Sequence, residues 1–239
     1  MNQYLNDHKK KKAIVLTARV HPGESNSSFI MEGIIKYLTS NTREAKILRQ
    51  NYIFKIIPML NPDGVIFGNY RCSLLGVDLN RRWINPSKIL HPTIFYSKQM
   101  IKMLDLDRTV EIFTDIHGHS RKYNVFMYGC SFSEFSFESR NNSLIRVFPS
   151  LLGDRIEVFS VKDCRFAMEK EKEATARIVL FKELSIINSF TMEASFFGTE
   201  QEVLNEEKEE EEVKKDPEEV LTEGNKEDSK EMEEEIAQK

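Results

Sequence analysis

The stretch "AIVLTARVHPGE", residues 13–24, joins an uninterrupted apolar run to a short polar turn. The run at 13–18 predicts a buried strand, because a strand covered on both faces does not alternate polar and apolar residues. His21 and Glu24 follow this strand three residues apart. An imidazole and a carboxylate at this spacing can share one metal ion, or they can be two polar residues of an ordinary loop. A metal site therefore needs a third ligand from elsewhere in the chain.

Other apolar runs alternate with helical patterns along the chain. Further strands are predicted at 52–60, 110–116, 124–129 and 187–196. Helices are predicted at 25–40, around 97–104 and at 172–184, with Ser25 as the cap of the first. This alternation predicts an α/β fold with a mixed, largely parallel central sheet flanked by helices. In such sheets ligands bind outside the carboxyl ends of the strands, where several polar clusters of this sequence lie.

Charge divides the chain into an acidic end and a basic remainder. Residues 200–239 contain 18 Asp and Glu against 6 Lys and Arg, a net charge of −12. Because the whole chain carries −4, residues 1–199 carry +8. We therefore expect a basic leader at 1–12, a folded domain at 13–198 and a disordered acidic tail at 199–239.

The basic remainder does not indicate a nucleic-acid partner. The lysines at 9–12 supply half of the excess, and the basic residues are not interleaved with aromatic ones. No apolar run approaches the ~20 residues of a membrane span, and the N-terminus lacks the apolar core of a signal peptide. The three cysteines lack metal-site spacing and are expected to be reduced, buried thiols: Cys72, Cys130 and Cys164. We expect a soluble intracellular protein that binds neither nucleic acid nor membrane.

The third metal ligand can come from "TDIHGHS", residues 114–120. His117 comes directly after the predicted strand at 110–116, so a second strand delivers an imidazole to its end. His119 lies two residues further on. The spacing does not choose between the two, and both are equally compatible with loop histidines beside the flexible Gly118.

Residues 69–83, "NYRCSLLGVDLNRRW", add groups that recognise anions. An asparagine beside an arginine, as at Asn80 and Arg81, can grip a carboxylate. A further arginine, Arg71, can stabilise an oxyanion. A solvated basic loop is the ordinary alternative for such a cluster. Asp78 can accept the second N–H of a metal-bound histidine, a contact that metal-ligating imidazoles usually make.

Glu193 lies in "SFTMEASF", residues 189–196, where a charge in an apolar strand is costly unless it is paired or used. At the end of a strand it could act as the general base for a metal-bound water, or it could be an exposed edge residue. Together these groups describe metal-assisted hydrolysis of a bond next to a free carboxylate.

Seven segments of the chain resemble the motifs of zinc carboxypeptidases, in the family's order, over roughly residues 13–198. They are "HPGE", "NPDG", "NYR", "GVDLNR", "DIHGHS", "TAR" and "NSFTMEASF". The sequence is most similar to the cytosolic carboxypeptidase subfamily. This resemblance implies one zinc ion per chain, held by His21, Glu24 and His117 rather than His119, with Asp78 orienting His21.

The resemblance also implies the roles of the remaining site residues. Arg71 would stabilise the tetrahedral intermediate, Asn80 and Arg81 would hold the terminal carboxylate, and Glu193 would be the general base and later the acid. The subfamily selects its substrate with a basic residue in the pocket for the departing side chain. Arg177 in "TAR" matches that position best, ahead of Lys182.

The subfamily's activity implies a substrate class and partners. Its members remove C-terminal glutamates from acidic protein tails and from polyglutamate side chains such as those of tubulin, so tubulin or microtubules are expected partners. The expected location is the cytoplasm, in association with the cytoskeleton or cilium. The subfamily also carries a β-rich domain before the catalytic one and a long helix after the base. The sequence departs from that pattern, and we expect a sheet fold that is incomplete at both ends.

Three alternatives remain open from the sequence. The chain could be a non-catalytic module that binds acidic tails, or a zinc amidohydrolase of related fold that cleaves N-acyl amino acids. The acidic tail could also occupy the basic groove, although its last residue is Lys239 rather than a glutamate. Simple solvation of the tail is the plainer interpretation.

Overall fold

The computed structural model describes residues 11–200 of the 239-residue chain. The strands are β1 Lys12–Ala18, β2 Tyr52–Ile57, β3 Val110–His119, β4 Val125–Tyr128 and β5 Ser189–Ser195. They form one five-stranded sheet in the order β2-β1-β3-β5-β4. The first four strands in this order are parallel, and β4 runs antiparallel to β5. The predicted mixed, largely parallel sheet is confirmed.

Six α-helices flank the sheet within the described residues. They are α1 Asn26–Thr39, α2 Arg43–Asn51, α3 Pro62–Ile66, α4 Pro92–Asp107, α5 Asn142–Gly153 and α6 Ala176–Leu184. The three predicted helices correspond to α1, α4 and α6. Helices α2, α3 and α5 are not among the predictions, because α2 buries only Ala45, α3 has only five residues and α5 contains Pro149.

The apolar run at residues 13–18 is buried on both faces of the sheet, as predicted. On one face Ala13 and Val15 pack in a cluster with Trp83 and Phe113. On the other face Leu16 packs with Met31 of α1 and with residues of β3. Successive residues of a strand point to opposite faces, so two covered faces require a continuous apolar run.

The predicted cap at Ser25 is wrong. Its backbone is already helical, and its side chain makes no capping hydrogen bond. Asn26 accepts the backbone N–H of Ser27 at 3.0 Å through its own Oδ1. The same side chain donates through Nδ2 to the carbonyl of Ala194 in β5, at 2.7 Å. Asn26 thus joins the start of α1 to the end of β5.

The predictions for the two chain ends, the cysteines and membrane spans can be compared with the structure only over residues 11–200. Residues 1–10 and 201–239, which include most of the leader and the acidic tail, lie outside the described residues. The three cysteines are free; Cys130 and Cys164 are buried and Cys72 is partly exposed. Between residues 11 and 200, no helix combines the length and apolarity needed to span a bilayer.

A buried lysine fixes the loop that follows Asn80 and Arg81. Lys98, on α4, is almost fully buried. Its Nζ donates to the carbonyls of Trp83 and Ile84 at 2.7 and 2.8 Å, and it lies 2.8 Å from the Glu183 carboxylate. This one ammonium group therefore ties α4 and α6 to the loop.

We predict that Lys98→Met lowers the free energy of unfolding by about 2–4 kcal/mol, since two backbone carbonyls lose this donor and Glu183 loses the nearer of its two lysine partners. Chemical denaturation measures this change. Lys102→Met is the matched control, because Lys102 pairs with the same Glu183 at 3.2 Å from a partly exposed position and should cost under about 1 kcal/mol. Equal costs for the two variants would contradict the role given to Lys98.

Candidate active site

Three side chains converge where β1 and β3 meet the start of α1. His21 follows β1, Glu24 precedes α1, and His117 lies within β3. Glu24 Oε1 is 2.7 Å from His21 Nδ1, and Glu24 Oε2 is 3.0 Å from His117 Nδ1. The two Nδ1 atoms are 3.2 Å apart. Potential ligand atoms of all three residues lie within 4.8 Å of one another, as a metal ion would require.

The outer nitrogens of both imidazoles meet carboxylates. His21 Nε2 is 3.0 Å from Asp78 Oδ1, and His117 Nε2 is 2.7 Å from Asp115 Oδ2. With a metal bound at the two Nδ1 atoms, each Nε2–H would donate outward to its carboxylate and each Nδ1 would present its lone pair inward. Tetrahedral zinc with Zn–N bonds of 2.0–2.1 Å places two nitrogens about 3.3 Å apart. The observed Nδ1 separation fits zinc, and a cation removes the repulsion between the two lone pairs.

Hydrogen bonding sets the charges of these groups against the effect of burial. Burial alone would raise the pKa of Glu24, but hydrogen bonds from His117 and His21 lower it by more than burial raises it. The carboxyl is therefore ionised at neutral pH. Asp78 behaves in the same way through His21 and Arg71. Burial lowers the pKa of His117, but Asp115 and Glu24 raise it well above the ordinary value. The site is thus built to receive positive charge between its ligand atoms.

The turn that carries His21 is held in an unusual conformation. Arg19 has a backbone φ of 55°, a left-handed conformation that residues other than glycine adopt infrequently. Its guanidinium donates to the Pro22 carbonyl and to Ser28 Oγ, both at 2.7 Å, and so fastens the turn to α1. Gly23 packs so closely against Tyr70 that an added Cβ would lie 2.5 Å from the ring. These contacts explain why "ARVHPGE" contains these residues around the ligands.

Asp115 is the site residue that the sequence analysis missed. It is fully buried, and Thr17 Oγ1 of β1 donates to its Oδ1 at 2.6 Å. The signal was present in "DIH": residues two apart in a strand share a face, so Asp115 and His117 point the same way. The predicted strand ends at residue 116, between the two, whereas β3 continues through His119.

The residues predicted to bind the oxyanion and the terminal carboxylate line a cavity of about 560 Å³ beside the triad. Arg71 donates from Nε and Nη2 to Asp78 Oδ2, at 3.0 and 2.8 Å. Asn80 is buried; its Oδ1 accepts the Ala176 N–H at 3.1 Å, and its Nδ2 lies 3.4 Å from His117 Nε2. Arg81 Nη1 donates to the Asn80 carbonyl at 3.3 Å. All three predicted side chains therefore reach the cavity, with Asn80 already partly engaged.

Arg177, and not Lys182, reaches the cavity. Arg177 lies in the first turn of α6 and is almost fully buried. Its Nη1 donates to the Gly129 carbonyl and lies 3.7 Å from Cys130 Sγ. Lys182 instead pairs with Glu173 at 3.1 Å on the surface. Placement alone therefore favours Arg177 for contact with a substrate.

Glu193 faces the cavity from β5, in register with His117 of β3. Burial raises the pKa of Glu193 to about 7, with His117 lowering it and Glu24 raising it. Glu193 lies inside the strand, two residues before its end, so the predicted strand-end position is corrected. His119, the alternative ligand, turns its Nδ1 to the backbone N–H groups of Arg121 and Lys122, at 3.1 Å each.

We predict that Asp115→Asn weakens zinc binding about 10- to 100-fold, because the amide no longer fixes His117 with its Nδ1 lone pair inward. Thr17→Val should weaken it less, since Asp115 then loses only one donor. Competition with a chromophoric chelator measures both affinities.

Asp154→Asn, at an exposed aspartate after α5, is the control and should leave zinc affinity unchanged. An Asp115→Asn protein that folds cooperatively and binds zinc as tightly as the wild type would contradict the role assigned to Asp115.

Comparison with known proteins agrees with this geometry. Residues 2–220 match the family model described as zinc carboxypeptidase. The chain is 47% identical to cytosolic carboxypeptidase 1 of Danio rerio over 210 residues, which cover 84% of this chain and 18% of that protein. It is 49% identical to cytosolic carboxypeptidase 3 of Mus musculus over 191 residues, covering 80% and 19%. The chain thus spans less than a fifth of the length of these relatives.

Solved structures give the same result. A putative carboxypeptidase A from Shewanella denitrificans superposes with a TM-score of 0.70 at 29% identity, over 80% of this chain and 50% of that one. A metallo-carboxypeptidase from Pseudomonas aeruginosa, in complex with (2-guanidinoethylmercapto)succinic acid, gives 0.67 at 28%, over 78% and 49%. By its sequence match, its sheet and its candidate zinc triad, the chain belongs to the zinc carboxypeptidase family.

Proposed function

We propose that this domain is a zinc-dependent carboxypeptidase that removes C-terminal glutamate from acidic protein tails or polyglutamate side chains, such as those of tubulin. The observation that carries the proposal is Arg177. Its buried guanidinium contacts the Gly129 carbonyl and Cys130 Sγ, and among residues 11–200 the carboxylates of Glu169 and Glu193 act on it without forming an ion pair. A buried charge without a carboxylate in direct contact is costly, and the side-chain carboxylate of a substrate would supply that contact.

The residues around the triad account for hydrolysis. Zinc, when bound by His21, Glu24 and His117, supplies a Lewis acid and lowers the pKa of water. Glu193 accepts the proton of the attacking water and later returns it to the leaving amine. A pKa of about 7 suits both steps, because the group is then able to take and give a proton near neutral pH.

The arginines and Asn80 divide the negative charges of the substrate among them. Arg71 faces the developing oxyanion while Asp78 holds its guanidinium in place. Arg81 and the Nδ2 group of Asn80 donate to the terminal carboxylate, since the side-chain Oδ1 of Asn80 already accepts the Ala176 N–H. A requirement for that free carboxylate makes the enzyme an exopeptidase.

The relatives' names support a cytosolic setting, and we propose that the domain acts there, in contact with the cytoskeleton or cilium where glutamylated tubulin lies. The basic charge of residues 1–199 favours encounter with acidic tails.

We predict that zinc-loaded protein releases free glutamate from a polyglutamate peptide and that Glu193→Gln lowers the turnover number about 100- to 10,000-fold. Zinc content should stay unchanged in this variant, because Glu193 is not one of the proposed ligands. Glu134→Gln, at an exposed position, is the control.

The same assay separates the alternatives. Tight peptide binding without any release would favour the non-catalytic module, and turnover of N-acyl amino acids in place of peptides would favour the amidohydrolase. Either result would overturn the proposed activity.

We predict that Arg177→Gln lowers kcat/KM for a peptide ending in glutamate about 10- to 100-fold, in line with a charge-assisted contact of 1.5–3 kcal/mol. A matched peptide ending in glutamine should be affected far less. Lys182→Gln is the control, because Lys182 does not line the cavity. An equal loss for both peptides would show that Arg177 serves the fold rather than the choice of substrate.

A further inference from the structure

We infer that Lys172 is a second cation of the pocket for the released side chain, and that it holds the substrate's side-chain carboxylate together with Arg177. This inference rests on the proposed function and extends it to a residue that neither the motifs nor the family match assigns. The pocket would then recognise an anionic side chain from two directions.

Tyr128 connects the two cations. It ends β4 and lines the same cavity as Lys172, Arg177 and Glu193. Lys172 Nζ lies 5.5 Å from the centre of the Tyr128 ring, and Arg177 Cζ lies 6.0 Å from it. Both distances are within the reach of cation–π attraction, so one aromatic ring holds two positive groups at the wall of one cavity.

The backbone of Lys172 is fixed relative to Arg177. The Lys172 carbonyl accepts hydrogen bonds from Thr175 N at 3.0 Å and from Thr175 Oγ1 at 2.8 Å. Thr175 immediately precedes α6, whose first turn carries Arg177. The backbones that carry the two cations are therefore held together, as a binding site for a side chain of defined length requires.

Lys172 forms an ion pair with Glu169. Glu169 Oε2 lies 2.8 Å from Lys172 Nζ, with both side chains more than one third exposed. An exposed pair of this kind contributes little to stability and is readily exchanged. An entering carboxylate can therefore replace Glu169 as the partner of Lys172 at small cost.

The test compares two peptides that differ only in their last residue, glutamate or glutamine. We expect Lys172→Met to lower kcat/KM for the glutamate peptide about three- to tenfold and to leave the glutamine peptide within about twofold. Glu169→Gln should change the glutamate peptide in the opposite direction, raising kcat/KM about two- to fivefold, because it removes the competing carboxylate. Lys170→Met, in the same turn but away from the cavity, is the control.

Dissociation constants of both peptides, measured with the zinc-loaded Glu193→Gln protein with and without Lys172→Met, give a readout that does not need turnover. The same glutamate-specific loss in binding supports the inference. Equal ratios for the two peptides overturn it, even if the wild-type enzyme releases glutamate. Absence of release by the wild type overturns the proposed activity instead, and the binding ratios still decide the role of Lys172.

Discussion

The Nδ1 atoms of His21 and His117 are held 3.2 Å apart by groups that lie behind each ring. Asp78 and Asp115 lie against the outer Nε2 atoms, so that both Nδ1 atoms face one point beside the Glu24 carboxylate. A metal cation at that point would stabilise this arrangement. The remaining features of the domain either deliver these side chains to that point or use the cation once it is there.

The parallel pairing of β1, β3 and β5 brings these side chains to one edge of the sheet. Pairing of β1 with β3 brings the turn after Ala18 next to His117, and pairing of β3 with β5 sets Glu193 opposite His117. The carboxyl ends of parallel strands meet at one edge of the sheet, so residues far apart in sequence become neighbours there. Asn26 links α1 to β5, and Lys98 fixes the loop after Arg81, so that the walls of the cavity have a constant geometry.

Negative and positive side chains lie in different parts of the site. Carboxylates gather around the metal point, whereas Arg71, Arg81 and Arg177 line the adjoining cavity. Arg177 differs from the other two arginines, because its buried guanidinium faces the cavity without an ion pair to a carboxylate of the described residues. That separation lets one small site attract an anionic chain and still concentrate acidic ligands on a cation.

Much of this arrangement could be predicted from the sequence, for identifiable reasons. Continuous apolar runs marked β1 and β3, and polar residues after them marked the ligands. Asp115 was missed because β3 runs on to His119, and the extent of a strand depends on its partner strand rather than on its own residues. The cap predicted at Ser25 was wrong because no side chain caps α1 there, and the contact of Asn26 with the distant carbonyl of Ala194 cannot be read from the local sequence. Pairing of Lys182 with Glu173 and burial of Arg177 are likewise tertiary facts.

X-ray absorption at the zinc edge, combined with metal analysis of the purified protein, tests the metal centre most directly. We expect one zinc per chain in a shell of nitrogen and oxygen only, with two imidazoles at about 2.0–2.1 Å. Sulfur in the shell, or no stoichiometric zinc in a cooperatively folded protein, would contradict a site built from His21, Glu24 and His117.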